Sequence, residues 1–452
     1  MTTDAINGIL MPSRKTSNYQ EAPSGLNMQF TYNLNDRPPL FELILFGLQW
    51  VAIVVPTVII IGRIVGSIQG ADSANQVLFM QKTCMIIAVV VLCQVLWGHQ
   101  LPLIAGPATV LVVGIIASKG FSPTSVYTAI MLGGCVLAII SMAGLFSHVR
   151  KLFTQRVVAV ILLLIAFTLA PTIMQLVVGP DPEVAPLPRL AFATGLTLLM
   201  FLAAQYVRGV WKSTIVLWSM LAGSLAYVGL TRSIHLGVSS SLPLLSLPFH
   251  ALVWQISVEP GVLLSFLICF LGLAINDVGS IESIGELIKP PAMTGRMKRG
   301  IILTGLANIL AGFLGVIGMV NYSLSPGVIM ATGCASRFTL IPTAVVMALL
   351  AFSPQVIAFL GSVPSVVVGS VFLYLLSYQV AAGLTAASEG VKALDLETGL
   401  VSGLPALLGT VVAFLPAAVV VTFPAVLKPV AGNGFLVGVV TVLILEHIVF
   451  RR

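Results

Sequence analysis

The sequence predicts an all-α polytopic membrane protein of 14 transmembrane segments, arranged as 7+7 inverted repeats in which segments 3 and 10 are short and broken. Three observations predict it. Hydrophobic residues fill 58% of the 452 positions and charged residues only 8%, against roughly 25% charged in ordinary soluble domains. The apolar runs reach lengths of about 20 residues, enough for a helix rising ~1.5 Å per residue to cross a ~30 Å hydrocarbon core. Two short apolar stretches about half a chain apart, 101–109 and 322–329, are each interrupted by a Gly/Pro pair. A matched pair of this kind is the best sequence-level pointer to a solute site between two inverted repeats.

The elements follow in chain order. Residues 1–40 are polar and mixed, with no basic stretch leading into a short apolar run and a small-residue cleavage site, so no signal peptide is expected. Apolar segments then fall near residues 41–62, 78–97, 101–118, 124–146, 157–178, 190–206 and 213–230 in the first half. The second half places them near 260–280, 300–318, 324–335, 339–360, 364–384, 398–421 and 432–450. Seven segments per half is an odd number, so a duplicated half must be inverted. The short segments are third in each half, and Pro107 and Pro326 stand 219 positions apart.

Charge supports this count. With 14 crossings and both termini cytoplasmic, the Lys and Arg residues divide 16 to 6. The inside set is Arg14, Lys15, Arg37, Arg150, Lys151, Arg156, Arg208, Lys212, Lys289, Arg296, Lys298, Arg299, Arg337, Lys392, Arg451 and Arg452. The outside set is Arg63, Lys82, Lys119, Arg189, Arg232 and Lys428. Omitting one segment would put later loops on the wrong side and remove the asymmetry. The formal charge of +7 is spread over these loops and forms no patch, so nucleic acid is not an expected partner; the lipid bilayer is. The chain is expected in a plasma or bacterial inner membrane.

Chemistry of other kinds finds little support. The five cysteines, Cys84, Cys93, Cys135, Cys269 and Cys334, lie in or at the ends of apolar segments without metal-ligand spacing, and the five histidines form no ligand constellation. His99 reads as an interfacial residue beside the first break, and Gln49 and Trp50 as cavity-facing or packing residues. No Ser/His pairing, His/Glu metal motif or phosphate loop appears, so no enzyme, metal or cofactor is expected.

The breaks themselves carry the stronger expectation. Proline removes a backbone donor and pushes the preceding residue toward extended conformations, and glycine tolerates backbone shapes that others do not. Extended backbone followed by a half-helix is therefore predicted at Ala105-Gly106-Pro107 and at Ser325-Pro326-Gly327. Each half-helix start carries roughly half a positive charge from its aligned peptide dipoles. Two such starts facing each other favour an anionic or hydrogen-bond-accepting solute. The eighth segment ends in the polar run Asn276-Asp277-Val278-Gly279-Ser280-Ile281-Glu282. Asp277 is either a functional intramembrane carboxylate or part of a solvated helix end with Glu282, Glu286 and Lys289.

Several stretches together resemble the nucleobase-cation symporter 2 family, also called nucleobase-ascorbate transporters, the xanthine and uracil permeases among them. Tyr32-Asn-Leu-Asn-Asp-Arg37-Pro38-Pro39 followed by Gly47-Leu-Gln49 looks like the family's entry to segment one. Gly327-Val-Ile-Met-Ala-Thr332-Gly-Cys-Ala335-Ser336-Arg337 looks like the second half of its signature. Residues 357–383, with Val363-Pro364 and Ala382-Gly383, are similar to its segment-twelve region.

The resemblance implies a core domain of residues 41–146 and 260–360 and a gate domain of 147–259 and 361–452, after a cytoplasmic segment 1–40. It further implies a homodimer and a solute held between segments 3 and 10 with segment 8 beside them. The substrate-binding positions are then Ala108, Thr109, Asn276, Ser280, Ser323, Leu324, Ser325 and Gly327, with Asp277 for ion coupling. Departures fall at the positions that recognise substrate. Family members usually carry Glu or Gln, then Asn, where this chain has Leu324 and Ser325, and commonly Glu at Asn276. Leucine cannot accept hydrogen bonds from ring N–H groups, so the lost acidic groups tilt the expectation toward an acidic or anionic solute. Two readings follow: a proton- or cation-coupled symporter of a nucleobase-like or small anionic organic solute, or an inorganic or small carboxylate anion transporter or channel of the sulfate-permease-like fold.

Overall fold

A bilayer offers the backbone no hydrogen-bond partner, so each apolar run satisfies its own N–H and C=O groups as a helix. The computed structural model describes residues 30–145, 154–179, 184–208, 210–231, 242–388, 396–416, 419–420, 422–424 and 431–450. Arg14, Lys15, Arg150, Lys151, Arg232, Lys392, Lys428, Arg451 and Arg452, counted above in the loop asymmetry, lie outside the described residues, as do positions 1–29 of the N-terminal segment.

The first half holds α1 (Leu40–Gln69), α2 (Ser73–Leu96), β1 (Ala105–Pro107), α3 (Thr109–Ala117), α4 (Pro123–Met142), α5 (Gln155–Thr168), α6 (Ala170–Val178), α7 (Pro186–Tyr206) and α8 (Ile215–Thr231). The second holds α9 (Pro260–Ile288), α10 (Met293–Leu314), β2 (Met319–Asn321), α11 (Ser325–Thr332), α12 (Leu340–Ala351), α13 (Pro354–Gly361), α14 (Ser365–Ser388), α15 (Leu396–Ala413) and α16 (Gly434–Ile444). Their starts are written locally. Asp72 accepts from the Asn75 amide at 2.8 Å to cap α2, and Asn433 accepts from the Leu436 amide at 3.2 Å to cap α16. Gly70, at φ 64°, closes α1 in the left-handed conformation that glycine adopts freely.

Eight helices among the described residues are long and apolar enough to cross a membrane. The other expected segments are represented by the two strand-plus-half-helix units, by shorter apolar helices and by one bent pair. That pair corrects the expectation of a straight segment at 339–360. The chain turns by 96° between α12 and α13, because Pro354 cannot continue the ladder of α12 and Ser353 before it leaves the helical region, at ψ 77°. Hydropathy also underestimated α1 and α9, which run on to Gln69 and Ile288. Their polar last turns still form helix, although they add nothing to an apolar window.

Two sets of helices pack among themselves. In one, α4 lies on α10 and α9, α2 on α12, and α1 on α12; in the other, α14 lies on α5, α6 and α7, and α15 on α16 and α5. The contact of α4 with α10 depends on missing side chains. A Cβ at Gly134 would meet the Gly305 carbonyl, and one at Gly305 would meet Ala138 and the Gly134 carbonyl. Small residues let the two backbones touch, the usual route to helix association in lipid. The two sets meet where α3 approaches α5, α9 approaches α16, and α1 approaches α8 and α14.

Candidate functional site

The first break forms the expected extended backbone. Ser325-Pro326-Gly327 instead open helix α11, as proline can in a first helical turn where its missing N–H is not needed; the extended piece of the second break is Met319–Asn321, just before them. The two extended pieces satisfy each other. β1 and β2 pair antiparallel, with Ala105 opposite Asn321 and Pro107 opposite Met319. The ladder continues at each end, from the Tyr322 amide to the Ile104 carbonyl and from the Ala108 amide to the Gly318 carbonyl, each at 2.9 Å. Irregular backbone at this depth is tolerated because protein groups take up its polar atoms. Gly106 is required by a close approach: a Cβ there would run into the ring and hydroxyl of Tyr322. That hydroxyl in turn bonds Thr57 Oγ1 at 3.1 Å and the Pro107 carbonyl at 3.2 Å, tying α1 to the break.

Behind β2 lies a buried polar cluster. Asp277 is fully buried on α9, which removes the solvated-helix-end alternative for this side chain. By the ~1.5 Å rise per residue it sits about 16 Å from the end of α9. Its Oδ1 accepts from the Asn321 amide at 3.0 Å and from Asn321 Nδ2 at 2.6 Å. Asn308 on α10 clamps the neighbouring residue, accepting from the Met319 amide at 3.1 Å and donating to its carbonyl at 2.9 Å. Thr304 Oγ1 joins Asn321 Nδ2 at 3.4 Å and Gln94 Nε2 at 3.3 Å. His99 is completely buried beside them, its amide on Gln94 Oε1 at 3.3 Å, and so is not interfacial.

The positions singled out for solute divide into two groups. Ser280, Ser325 and Ala108 build the scaffold. Ser280 Oγ donates to the Asn276 carbonyl at 2.7 Å and to the Asn321 carbonyl at 3.0 Å. Ser325 Oγ donates to the Tyr322 carbonyl at 2.9 Å and accepts from the Ile104 amide at 3.3 Å, linking the two breaks. Ala108 is fully buried. Thr109 and Asn276 are half-buried, and Ser323, Leu324 and Gly327 are exposed. Leu324 shows 41% of its surface, so the apolar side chain at this signature position does not retreat into the core. Space stands open around Gly327 and Gly279, where an added Cβ would meet nothing within 4 Å. Neither α3 nor α11 has a side-chain cap at its start. Both half-helix starts pack against α9; the start of α3 can receive an acceptor or an anion, whereas at the start of α11 the Ser325 and Gly327 amides already donate to the Tyr322 and Leu324 carbonyls at 3.2 and 3.0 Å and Pro326 has no amide hydrogen.

Asn321, Asn308, Thr304 and Gln94 had no signal of their own in the sequence, because nothing local marks a residue whose partner lies on another element more than ten positions away. The arginines expected as a positive-inside loop have a further task. Arg296 donates to the His99 and Gln100 carbonyls at 3.1 Å, Arg299 to the Gly98 carbonyl at 3.2 Å, and Arg337 to the Val95 carbonyl at 2.6 Å. They cover the carbonyl end of α2, where cations complement the helix dipole. Gln49 is buried, and Trp50 donates to Thr339 Oγ1 at 3.2 Å. Among the described residues no group of three or more His, Cys, Asp or Glu could hold a metal ion.

Comparison with known proteins adds an independent line. The permease family Xan_ur_permease matches residues 41–418. The putative purine permease CPE0397 of Clostridium perfringens is 23% identical, with 92% of each chain covered. The xanthine permease of Bacillus subtilis is 22% identical over 88% of this chain and 92% of that protein, and xanthine permease XanP of Escherichia coli K12 is 22% identical over 96% and 97%. Among solved structures, the transmembrane domain of the cyanobacterial bicarbonate transporter BicA superposes with a TM-score of 0.60 at 14% identity, covering 85% of this chain and 98% of that one. Murine Slc26a9, an anion transporter in the inward-facing state, gives 0.59 at 11% identity, covering 92% and 69%. At these identities the structures speak to the fold alone.

Proposed function

Since the chain belongs to the Xan_ur_permease family of permeases, we propose that it is a secondary active transporter of a nucleobase-like or small anionic organic solute, coupled to a proton or cation. The observation that carries this reading is the pair of half-helix starts held against each other by β1 and β2, with that of α3 open to an acceptor. The solute sits at Thr109, Asn276, Ser323, Leu324 and Gly327, where the start of α3, the Asn276 side chain and the Thr109 and Ser323 hydroxyls meet its acceptor atoms. Ala108, Ser280 and Ser325 hold that surface in place from behind. Alternating access moves the core, residues 41–146 and 260–360, against the gate, residues 147–259 and 361–452. The two packing sets of helices support this division, and the few junctions between them are where such sliding would occur. The protein works as a homodimer with both termini cytoplasmic.

Asp277 is the coupling group in this reading. Its replacement by Asn abolishes gradient-driven accumulation and spares solute exchange; unchanged accumulation removes it from that role. The exposed Leu324 favours one rival, an inorganic or small carboxylate anion transporter of the sulfate-permease-like fold, because that site presents no carboxylate to repel an anion. Thermal unfolding of the purified protein across xanthine, uric acid, uracil, small carboxylates, sulfate and bicarbonate separates the two, since a ligand that binds the folded state raises the melting point. Stabilisation by a nucleobase is expected. Stabilisation by sulfate or bicarbonate alone transfers the conclusion to the rival.

A further inference from the structure

Lys82, counted above with the outer loops, lies inside α2, ~14 Å along the axis from Ser73. Only 4% of its surface is exposed. An ionisable residue at such depth is a functional candidate, because a buried charge is costly unless it is paired. Among the described residues its partner is a single carbonyl. Nζ donates to Ala251 at 3.0 Å, a residue held at a left-handed φ of 49°. An ammonium has three N–H donors, so two are left for another acceptor.

Lys82 and Ala251 both line a cavity of about 780 Å³ between the end of α1, the starts of α2 and α4, and residues 251–255. Its size falls in the ~300–1,000 Å³ range of small-molecule pockets. Phe79, Leu78, Leu252 and Val253 give it an apolar wall, and Asn75, Trp254 and Gln255 stand exposed in its lining. Lys82 and Asp72 carry the charge of that lining. Asp72 is exposed, and its Oδ1 accepts from the Asn75 amide at 2.8 Å. The charge balance selects the occupant. One buried cation matches one negative charge, and the Asp72 carboxylate opposes a second. A carboxylate can take both remaining donors of Lys82 while the apolar wall receives an organic body. An inorganic dianion such as sulfate matches neither feature.

We propose that this cavity is a second ligand site, for an organic monocarboxylate whose carboxylate group binds the Lys82 ammonium. Gln69 in its lining lies ~18 Å along α1 from Thr57, the residue that ties α1 to the break. A ligand here is therefore separate from the positions assigned to the transported solute. The helices that line it, α1, α2 and α4, all belong to the first packing set, so the site lies within that set and away from the junctions between the two. Nothing in the proposal rests on the transport reading above.

Benzoate is the probe, and benzamide its uncharged counterpart. Thermal unfolding of the full chain in phosphatidylcholine nanodiscs should show a melting point raised by benzoate and unmoved by benzamide or sulfate. Lys82→Gln should weaken benzoate about tenfold or more, since hydrogen bonds to a charged group are the stronger ones. A second readout needs no change at the buried lysine: benzoate should alter tryptophan emission in the wild-type protein, and the exposed substitution Trp254→Phe should remove that response. Equal stabilisation by benzamide or sulfate, unchanged benzoate affinity in a folded Lys82→Gln, or an emission response that survives Trp254→Phe each overturns the proposal. So does loss of benzoate binding in Leu324→Trp, which would put the anion in the solute site instead. Stabilisation by phosphatidylglycerol in the disc with none by benzoate also overturns it, giving the ammonium to a lipid headgroup. Failure of benzoate here leaves the transport reading intact, because that reading is tested by nucleobases.

Discussion

Replacing Gly106 by Ala inserts one methyl group where β1 meets the Tyr322 ring. The added Cβ would touch Tyr322 Oη, Cζ and Cε2 more closely than side chains pack. The ring has no easy retreat, because its hydroxyl is held at 3.1 Å by Thr57 and at 3.2 Å by the Pro107 carbonyl. Relieving the clash loses those two bonds, ~0.5–1.5 kcal/mol each, in addition to an overpacking cost of ~1–3 kcal/mol. A destabilisation of about 2 to 6 kcal/mol follows, a large part of the ~5–15 kcal/mol that stabilises a typical fold. The assay is chemical denaturation of purified protein in micelles, run as a double-mutant cycle with Tyr322→Ala. Without the ring, Gly106→Ala should cost less than ~1 kcal/mol, the ordinary range for a substitution with no specific clash. The same cost in both backgrounds, or no cost in either, refutes the steric argument.

Three further outcomes are expected. Asn308→Ala leaves the buried amide and carbonyl of Met319 without partners and should lower unfolding free energy by about 2 to 4 kcal/mol in the same denaturation assay. Asp277→Ala, which orphans the amide and Nδ2 of Asn321, should destabilise more than Asp277→Asn, which keeps an acceptor at Oδ1; equal melting points would place Asp277 outside the scaffold. Leu324→Glu adds a carboxylate on an exposed position and should tighten xanthine binding at least tenfold, since a hydrogen bond to a charged group contributes ~1.5–3 kcal/mol, as read by isothermal titration.

The helices were legible because hydropathy is a local property. Runs such as 41–62, 78–97 and 124–146 announce themselves from their own residues, and α1, α2 and α4 form over most of their length. The first break was legible for a similar reason, as Pro107 acts on its own backbone, whereas the extended piece of the second lies at Met319–Asn321, upstream of Pro326, which sits in the first turn of α11. The bend at Ser353 was not read, although Pro354 supplied the signal, since the stretch stayed apolar on both sides. The site was legible only in outline. Ser280 and Ser325, expected to bind the solute, have hydroxyls that are spent on the carbonyls of Asn276, Asn321 and Tyr322 and on the amide of Ile104.

By itself, the sequence determined that the chain lives in a membrane, where its helices run, and that two of its segments fail as helices at matched places. Composition and proline act locally, so no partner is needed to know their effect. The tertiary structure alone decided what the polar residues do. Asp277 and Asn321 are 44 positions apart, and His99 and Arg296 are 197 apart; only packing brings them together. A buried polar group must find its partner wherever the fold supplies one, and in this fold the partner of the eighth segment's carboxylate is the broken backbone of the tenth.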